Sequence, residues 1–169
     1  MKKFSKEEID NGRKYCRDKR FTELEVSVGG RNINYFVVPS SVNPDLPNFV
    51  FRMTGDPKEG YILGVDEGMS EELRPYALFE EYVEFLEKGI DAKGRVGEAE
   101  AEAISLIRDE SLKERYVLMR REFFTKMLEE NEKHPELYLF SEDDVVEFKK
   151  NLSMLEEIVR GYEGGKRDE

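Results

Sequence analysis

Glutamates in the segment Phe79–Phe85 are the side chains whose type and spacing could do chemistry in this sequence. On a helix, with about 100° of rotation per residue, Glu80, Glu84 and Glu87 share one face, and Glu81 lies at its border. Carboxylates one helical turn apart can bind the same divalent cation, because hard cations take oxygen ligands from Asp and Glu. The segment is therefore a candidate metal site.

The order Glu80-Glu81-x-x-Glu84 has the spacing of the zinc-peptidase motif H-E-x-x-H, with glutamates at both histidine positions. Zinc peptidases hold Zn²⁺ with neutral imidazoles, whereas three carboxylates favour a harder cation such as Mg²⁺, Mn²⁺ or Ca²⁺. The likeness is one of spacing and identifies no family. This degenerate zincin-like helix predicts that Glu80 and Glu84 bind the cation and that Glu81 takes a proton from its bound water.

The same glutamates also have an interpretation without chemistry. Glutamate is a strong helix former, and Glu80, Glu84 and Glu87 fall opposite a wide apolar arc that includes Phe79 and Val83. A face opposite such an arc is expected to meet solvent. The sequence favours this interpretation, under which no cofactor is expected.

Other reactive residue types are scarce. His134 is the only histidine, and it precedes Pro135 at a predicted helix end, which is typical of a capping role. Cys16 is the only cysteine, so no internal disulfide can form, and it falls on the apolar stripe of a predicted first helix. The glycines form no phosphate-binding loop and no G-x-S-x-G elbow, which argues against a nucleotide-dependent enzyme of a standard type.

The chain between about residues 21 and 65 is predicted to form four antiparallel strands. Alternating apolar and polar residues over 22–28 and a second apolar run over 33–38 flank Gly29-Gly30, a strong hairpin signal. Two further apolar runs, over 49–53 and 61–65, follow a proline-rich loop. The sheet would support the helix that carries the glutamates.

Helical patterns dominate both ends of the chain. Ser5 with Glu8 predicts the cap of a first helix, and Ser141 with Asp144 predicts the cap of the last. Between residues 75 and 133 the pattern predicts two or three more helices. We expect a single α+β domain over residues 1–165, with a four-stranded antiparallel sheet and three or four helices packed on one face, followed by a frayed charged tail over 166–169.

Composition narrows the class of partner. The 169 residues carry a net charge of −11, which argues against a general affinity for nucleic acid or an anionic membrane. Nothing resembles a signal peptide, and no stretch approaches the ~18 apolar residues of a membrane span, so we expect a cytoplasmic protein.

Two functional hypotheses follow. The favoured one is a non-catalytic interaction or regulatory module whose acidic surface meets a protein partner or a second copy of the chain. The helix predicted over 112–133 has more large apolar residues than one buried face requires, which suggests a dimer seam: Tyr116, Met119, Phe123, Phe124 and Met127. The alternative is a carboxylate-based divalent-metal-binding protein or hydrolase that uses Glu80, Glu81 and Glu84, with Mg²⁺, Mn²⁺, Ca²⁺ or Zn²⁺ as its ion. The sequence leaves open whether any reaction is catalysed.

Overall fold

A computed structural model describes residues 13–56, 60–89, 91–138 and 140–165. It confirms the predicted α+β class: a helix at the start, a four-stranded sheet, and then several helices. Helix α1 covers residues 13–18 of the described chain. The predicted Ser5–Glu8 cap and the 166–169 tail lie outside the described residues.

The sheet consists of β1 (Thr22–Val28), β2 (Arg31–Val38), β3 (Val50–Asp56) and β4 (Gly60–Asp66), in the order β1-β2-β4-β3. Strands β1 and β2 form the predicted hairpin through Gly29 and Gly30, both of which have positive φ. Strands β3 and β4 form a second antiparallel hairpin. Side chains of β2 and β4 form the inner layer of the core.

The prediction of a purely antiparallel sheet is wrong at one pair, because β2 and β4 run parallel. The loop over residues 39–49 carries the chain past the next position in the sheet, so β3 lies at the outer edge and β4 pairs between β2 and β3. Ile62, Leu63 and Val65 of β4 are fully buried, as a central strand requires. The apolar run predicts strand β4, but which strands pair with β4 depends on the path of the loop over residues 39–49.

Five helices follow the sheet in the described chain: α2 (Arg74–Tyr82), α3 (Arg95–Leu106), α4 (Glu110–Lys133), α5 (Pro135–Tyr138) and α6 (Glu142–Gly165). Helix α2 contacts all four strands, while α3 packs on α2 and on α6, and α4 packs on α6. The predicted cap of α6 is confirmed, since Ser141 and Asp144 exchange hydrogen bonds through their side chains and backbone N–H groups. One hydrophobic cluster joins the sheet to the helices.

Helix α2 changes its winding at its end. Residues Val83–Lys88 continue α2 as a π-helical segment, which terminates at Gly89 with φ of 85°. A π-helical turn is rare, and it is often found at functional sites because it displaces side chains from their α-helical positions. Glu84 lies in this segment, directly after the α-helical turn that carries Glu80 and Glu81.

Candidate functional site

The glutamates of α2 lie inside the protein rather than at its surface. The exposed fraction of Glu80 is 0% and that of Glu84 is 5%, while Glu81 is partly buried. The interpretation of a solvated glutamate face is therefore wrong for Glu80 and Glu84. It holds for Glu87, which is exposed and forms two 2.8 Å hydrogen bonds with Arg31. The reason is that the sheet covers one side of α2 and α3 covers the other.

The structure brings the three predicted site residues together. Glu80, Glu81 and Glu84, here called the glutamate cluster, each place one carboxylate oxygen within 4.8 Å of the others. Carboxylates so close together repel one another unless protons or cations offset their charge. The spacing read from the sequence thus corresponds to a real cluster, and its burial is what the sequence did not predict.

Arg120 of α4 is the first positive charge beside this cluster. Its Nη2 lies 2.7 Å from Oε2 of Glu80, and its Nε donates a 2.8 Å hydrogen bond to Oε2 of Glu100 on α3. Asn151 of α6 donates to the same Glu100 oxygen across 3.3 Å. Burial alone would lower the pKa of Arg120, but the charges of Glu100 and Glu80 raise it well above its ordinary value.

The contact between Arg120 and Glu80 is an ion pair without hydrogen-bond geometry. Among the described residues, neither carboxylate oxygen of Glu80 accepts a hydrogen bond, although both are shielded from solvent. A buried carboxylate without hydrogen bonds is costly and calls for a proton or another ligand. Glu80 is therefore the least satisfied member of the glutamate cluster.

Arg95 of α3 is the second positive charge. Its Nε donates a 3.1 Å hydrogen bond to Oε1 of Glu84, and its Nη2 donates a 2.8 Å hydrogen bond to Oδ1 of Asp144. Nη1 of Arg95 lies 3.9 Å from Glu147. The residue that caps α6 therefore also orients the arginine that holds Glu84.

The pKa values of the glutamate cluster are raised. Burial, reinforced by the charge of Glu80, raises the pKa of Glu81 to about 8, and burial with the charge of Glu81 does the same for Glu84. Burial raises the pKa of Glu80 well above its ordinary value, although the charge of Arg120 opposes the rise. These raised pKa values favour the neutral, protonated form of Glu81 and Glu84 at pH 7.

An aromatic pocket opens beside the cluster. Its volume is about 420 Å³, and its lining includes Glu81, Glu84, Arg52 and Arg120. The remaining wall is apolar and mostly aromatic, with rings from β3, α4, α6 and the loops around them, among them Phe49, Phe51, Phe123, Phe124, Phe140 and Phe148. Neighbouring rings touch at centroid distances of 5.0 Å for Phe140–Phe148 and 5.9 Å for Phe124–Phe148.

Arg52 of β3 lies in the wall of this pocket. Its guanidinium carbon is 4.4 Å from the ring centroid of Phe85, and burial lowers the pKa of Arg52. The backbone of Arg52 donates a hydrogen bond to Glu81. Within the part of the chain that the structure describes, the Arg52 guanidinium makes no hydrogen bond and no ion pair within 4.0 Å.

A larger open groove of about 1060 Å³ lies between α4 and α6. Its lining includes both positive and negative side chains, such as Arg115, Lys126, Glu156 and Glu163. It holds none of the buried titratable groups described above. Size alone therefore does not make it the better candidate, and we place the functional site at the aromatic pocket.

The remaining candidates have structural roles. Cys16 is fully buried, and His134 is the C-cap residue of α4, with its Nδ1 3.6 Å from Glu136. The apolar residues that suggested a dimer seam are mostly buried, and Phe123, Phe124 and Met127 line the aromatic pocket.

Sequence reasoning missed the arginines of the site. A usable signal exists for Arg120, because it interrupts a run of large apolar positions between Tyr116 and Phe124 on a helix. A charge at such a position is buried only with a partner. Arg52 and Arg95 have no comparable signal, since their partners come from distant segments.

Among the described helices, none combines the length and the apolar character needed to cross a membrane. Comparison of the chain with protein-family models, with curated proteins and with solved structures finds no match.

Proposed function

We propose that the protein binds a divalent cation through Glu80, Glu81 and Glu84. The observation that supports this most is the convergence of three carboxylate oxygens within 4.8 Å in the protein interior, including those of Glu80 that accept no hydrogen bond among the described residues. Buried carboxylate oxygens that converge beside a pocket and lack hydrogen-bond partners are the expected features of a ligand site.

The balance of charge supports a cation rather than an anion at this point. Glu80 and Glu100 share the buried guanidinium of Arg120, and Glu84 pairs with the buried guanidinium of Arg95. Arg95 is further shared with the partly buried Asp144 and Glu147. Carboxylates therefore outnumber the arginines that contact them, and a dication would offset this excess in place of the protons.

The dimensions suit a hard cation. Three oxygens spread evenly around one ion lie about 4.0–4.5 Å apart for Ca²⁺, since each Ca–O distance is about 2.3–2.6 Å, and about 3.6 Å apart for Mg²⁺. The oxygens of the glutamate cluster lie within 4.8 Å of one another. Ca²⁺ therefore requires the least movement of the three carboxylates, and the smaller Mg²⁺ and Mn²⁺ require more. All-oxygen ligands make Zn²⁺ the least favoured of the four.

The surroundings orient these carboxylates as metal ligands are usually oriented. Arg120 contacts one oxygen of Glu80, Arg95 binds one oxygen of Glu84, and the backbone N–H of Arg52 binds Glu81. Such outer hydrogen bonds and ion pairs position ligands and tune their basicity. Because the arginines also offset part of the negative charge, we expect moderate rather than very tight binding.

A hydrolytic role is a second possibility for the same site. Glu81 lines the aromatic pocket and has a pKa of about 8, which is close to the operating pH that general bases need. Water bound to a cation on Glu80 and Glu84 would lie within reach of Glu81. Cation binding is the prior requirement, and loss of binding would remove the hydrolytic role as well.

The interaction module stays a prediction, as do a protein partner, self-association and a cytoplasmic location. The apolar excess of α4 no longer argues for a dimer seam, because the aromatic pocket accounts for Phe123, Phe124 and Met127. The acidic composition still favours a basic partner over nucleic acid. A monomeric mass in light scattering at high protein concentration would remove self-association.

The test of cation binding is thermal unfolding of chelator-treated protein with millimolar Mg²⁺, Mn²⁺, Ca²⁺ or Zn²⁺. A cation at a hundred times its dissociation constant stabilises the native state by about 2.7 kcal/mol, which corresponds to roughly 5–10 °C for a chain of this size. We expect such a rise with at least one hard cation and its loss in Glu80→Gln.

The matched control is Glu87→Gln, on the same segment but exposed and paired with Arg31. It should keep the full response to the cation. No shift with any ion, or an equal loss of response in Glu87→Gln, would contradict the proposed site.

A further inference from the structure

We infer that the aromatic pocket binds a small carboxylic acid with an apolar body, whose carboxylate pairs with Arg52. The inference goes beyond the cation site and does not depend on it, because different side chains carry it. The apolar wall holds the body of the ligand, and the guanidinium in that wall holds its charged end.

The pocket has the size and lining of a small-molecule site. Its volume of about 420 Å³ falls within the ~300–1,000 Å³ that such sites occupy. Rings from three parts of the fold converge on it: Phe51 of β3, Phe123 and Phe124 of α4, and Phe148 of α6. A flat or flexible apolar group that fills this space removes aromatic surface from water, which favours binding.

Arg52 supplies the position for the acid. It is partly buried, its guanidinium carbon lies over the ring of Phe85, and among the described residues it has no ion-pair partner within 4.0 Å. Arg120, the other arginine in the lining, is already held between Glu80 and Glu100. A guanidinium that is fixed by stacking but not paired is preorganised for a carboxylate, which it can bind through two parallel hydrogen bonds.

The charge of Arg52 also favours an acid over an amine. An ammonium group placed beside this guanidinium in the pocket wall would meet a like charge, whereas a carboxylate meets an opposite one.

The experiment is isothermal titration of the chelator-treated full chain at pH 7 with 3-phenylpropanoate and with decanoate, which separate aromatic from fatty acids. The matched probe 3-phenylpropylamine has the same body and the opposite charge. We expect at least one acid to bind and the amine to bind at least tenfold more weakly. This comparison uses the unchanged protein, so it does not depend on how any variant folds.

Variants then test the role of Arg52. Arg52→Met should lower the affinity for the acid at least tenfold, Arg52→Lys should lower it less, and the exposed Arg108→Met should leave it unchanged. Glu80→Gln should keep acid binding while it loses the cation response, which separates this inference from the proposed function.

Three outcomes would overturn the inference. They are binding of neither acid at millimolar concentration, tighter binding of the amine than of the acids, and unchanged acid affinity in an Arg52→Met protein that retains its unfolding transition.

Discussion

Arg120 on α4 donates its Nε–H to Oε2 of Glu100 on α3 across 2.8 Å, and both side chains lie inside the core, with exposed fractions of 3% and 0%. The same guanidinium contacts Glu80 on α2. One arginine therefore joins three helices that sequence patterns treat separately. Breaking a buried ion pair by removing one partner is costly, because the remaining charge has no compensation.

Arg120→Met should lower the free energy of unfolding by about 3–5 kcal/mol at pH 7, as is usual for one partner of a buried ion pair. The measurement is urea denaturation followed by circular dichroism. Arg115→Met is the control, since Arg115 lies on the same helix but pairs with the exposed Glu72 at the surface. We expect its effect to stay below about 1 kcal/mol. Equal losses of unfolding free energy in the two variants would show that the buried ion pairs of Arg120 stabilise the fold no more than a surface pair does.

Stability should fall as the pH rises from about 5 to about 8. Glu81 and Glu84 have pKa values of about 8 in the folded protein, whereas the ordinary value of each is 4.5. Folding therefore takes up protons, and the stabilisation that this brings is complete below the unfolded pKa and lost as the pH passes through 8. Each group contributes a slope of at most about 1.4 kcal/mol per pH unit.

The variant Glu81→Gln should flatten this decline between pH 6 and pH 8, measured as the free energy of unfolding in urea at each pH. It removes one titrating group and also the charge that helps to raise the pKa of Glu84. Glu87→Gln is the control. Because Arg31 lowers the pKa of Glu87, titration of Glu87 changes the free energy of unfolding only at acid pH. An unchanged slope in Glu81→Gln would contradict the raised pKa values.

Cation binding should release protons. The pKa values of all three ligands are raised, and a metal ligand must be a carboxylate, so at least one proton should leave per cation at pH 7. Calorimetric titration in two buffers with different ionisation enthalpies measures this number. Above pH 9 the release should be smaller and the affinity higher than at pH 7. A proton release that does not vary with pH would place the cation elsewhere.

The hairpin between β1 and β2 offers a matched pair of glycines. Gly29 and Gly30 both have positive φ, but a Cβ on Gly29 would clash with the ring of the buried Phe79, whereas Gly30 faces open space. Gly30→Ala should cost about 1–2 kcal/mol for the left-handed backbone. Gly29→Ala should cost more, because the ring must also move within a close-packed core. Thermal unfolding of the two variants compares them, and equal effects would contradict the packing argument.

Local patterns predicted much of this architecture correctly. The Gly29-Gly30 turn, the Ser141–Asp144 cap and the apolar run of β4 each depend on residues adjacent in the chain, whose chemistry specifies their conformation directly. The spacing of Glu80, Glu81 and Glu84 likewise follows from the helix on which they lie, and their proximity was predicted for that reason.

The burial of the glutamates and their contacts with arginines result from packing between segments that are distant in the sequence. Helical periodicity indicates that Glu80 and Glu84 lie opposite an apolar arc, but it does not report that α3 covers that side of α2. The insertion of β4 between β2 and β3 depends on the path of the intervening loop, and Arg52, Arg95 and Arg120 reach the glutamates from three separate elements. The sequence alone therefore established the candidate carboxylates and their spacing. Their raised pKa values and their arginine partners arise from long-range contacts, because desolvation and charge depend on every element that surrounds a side chain.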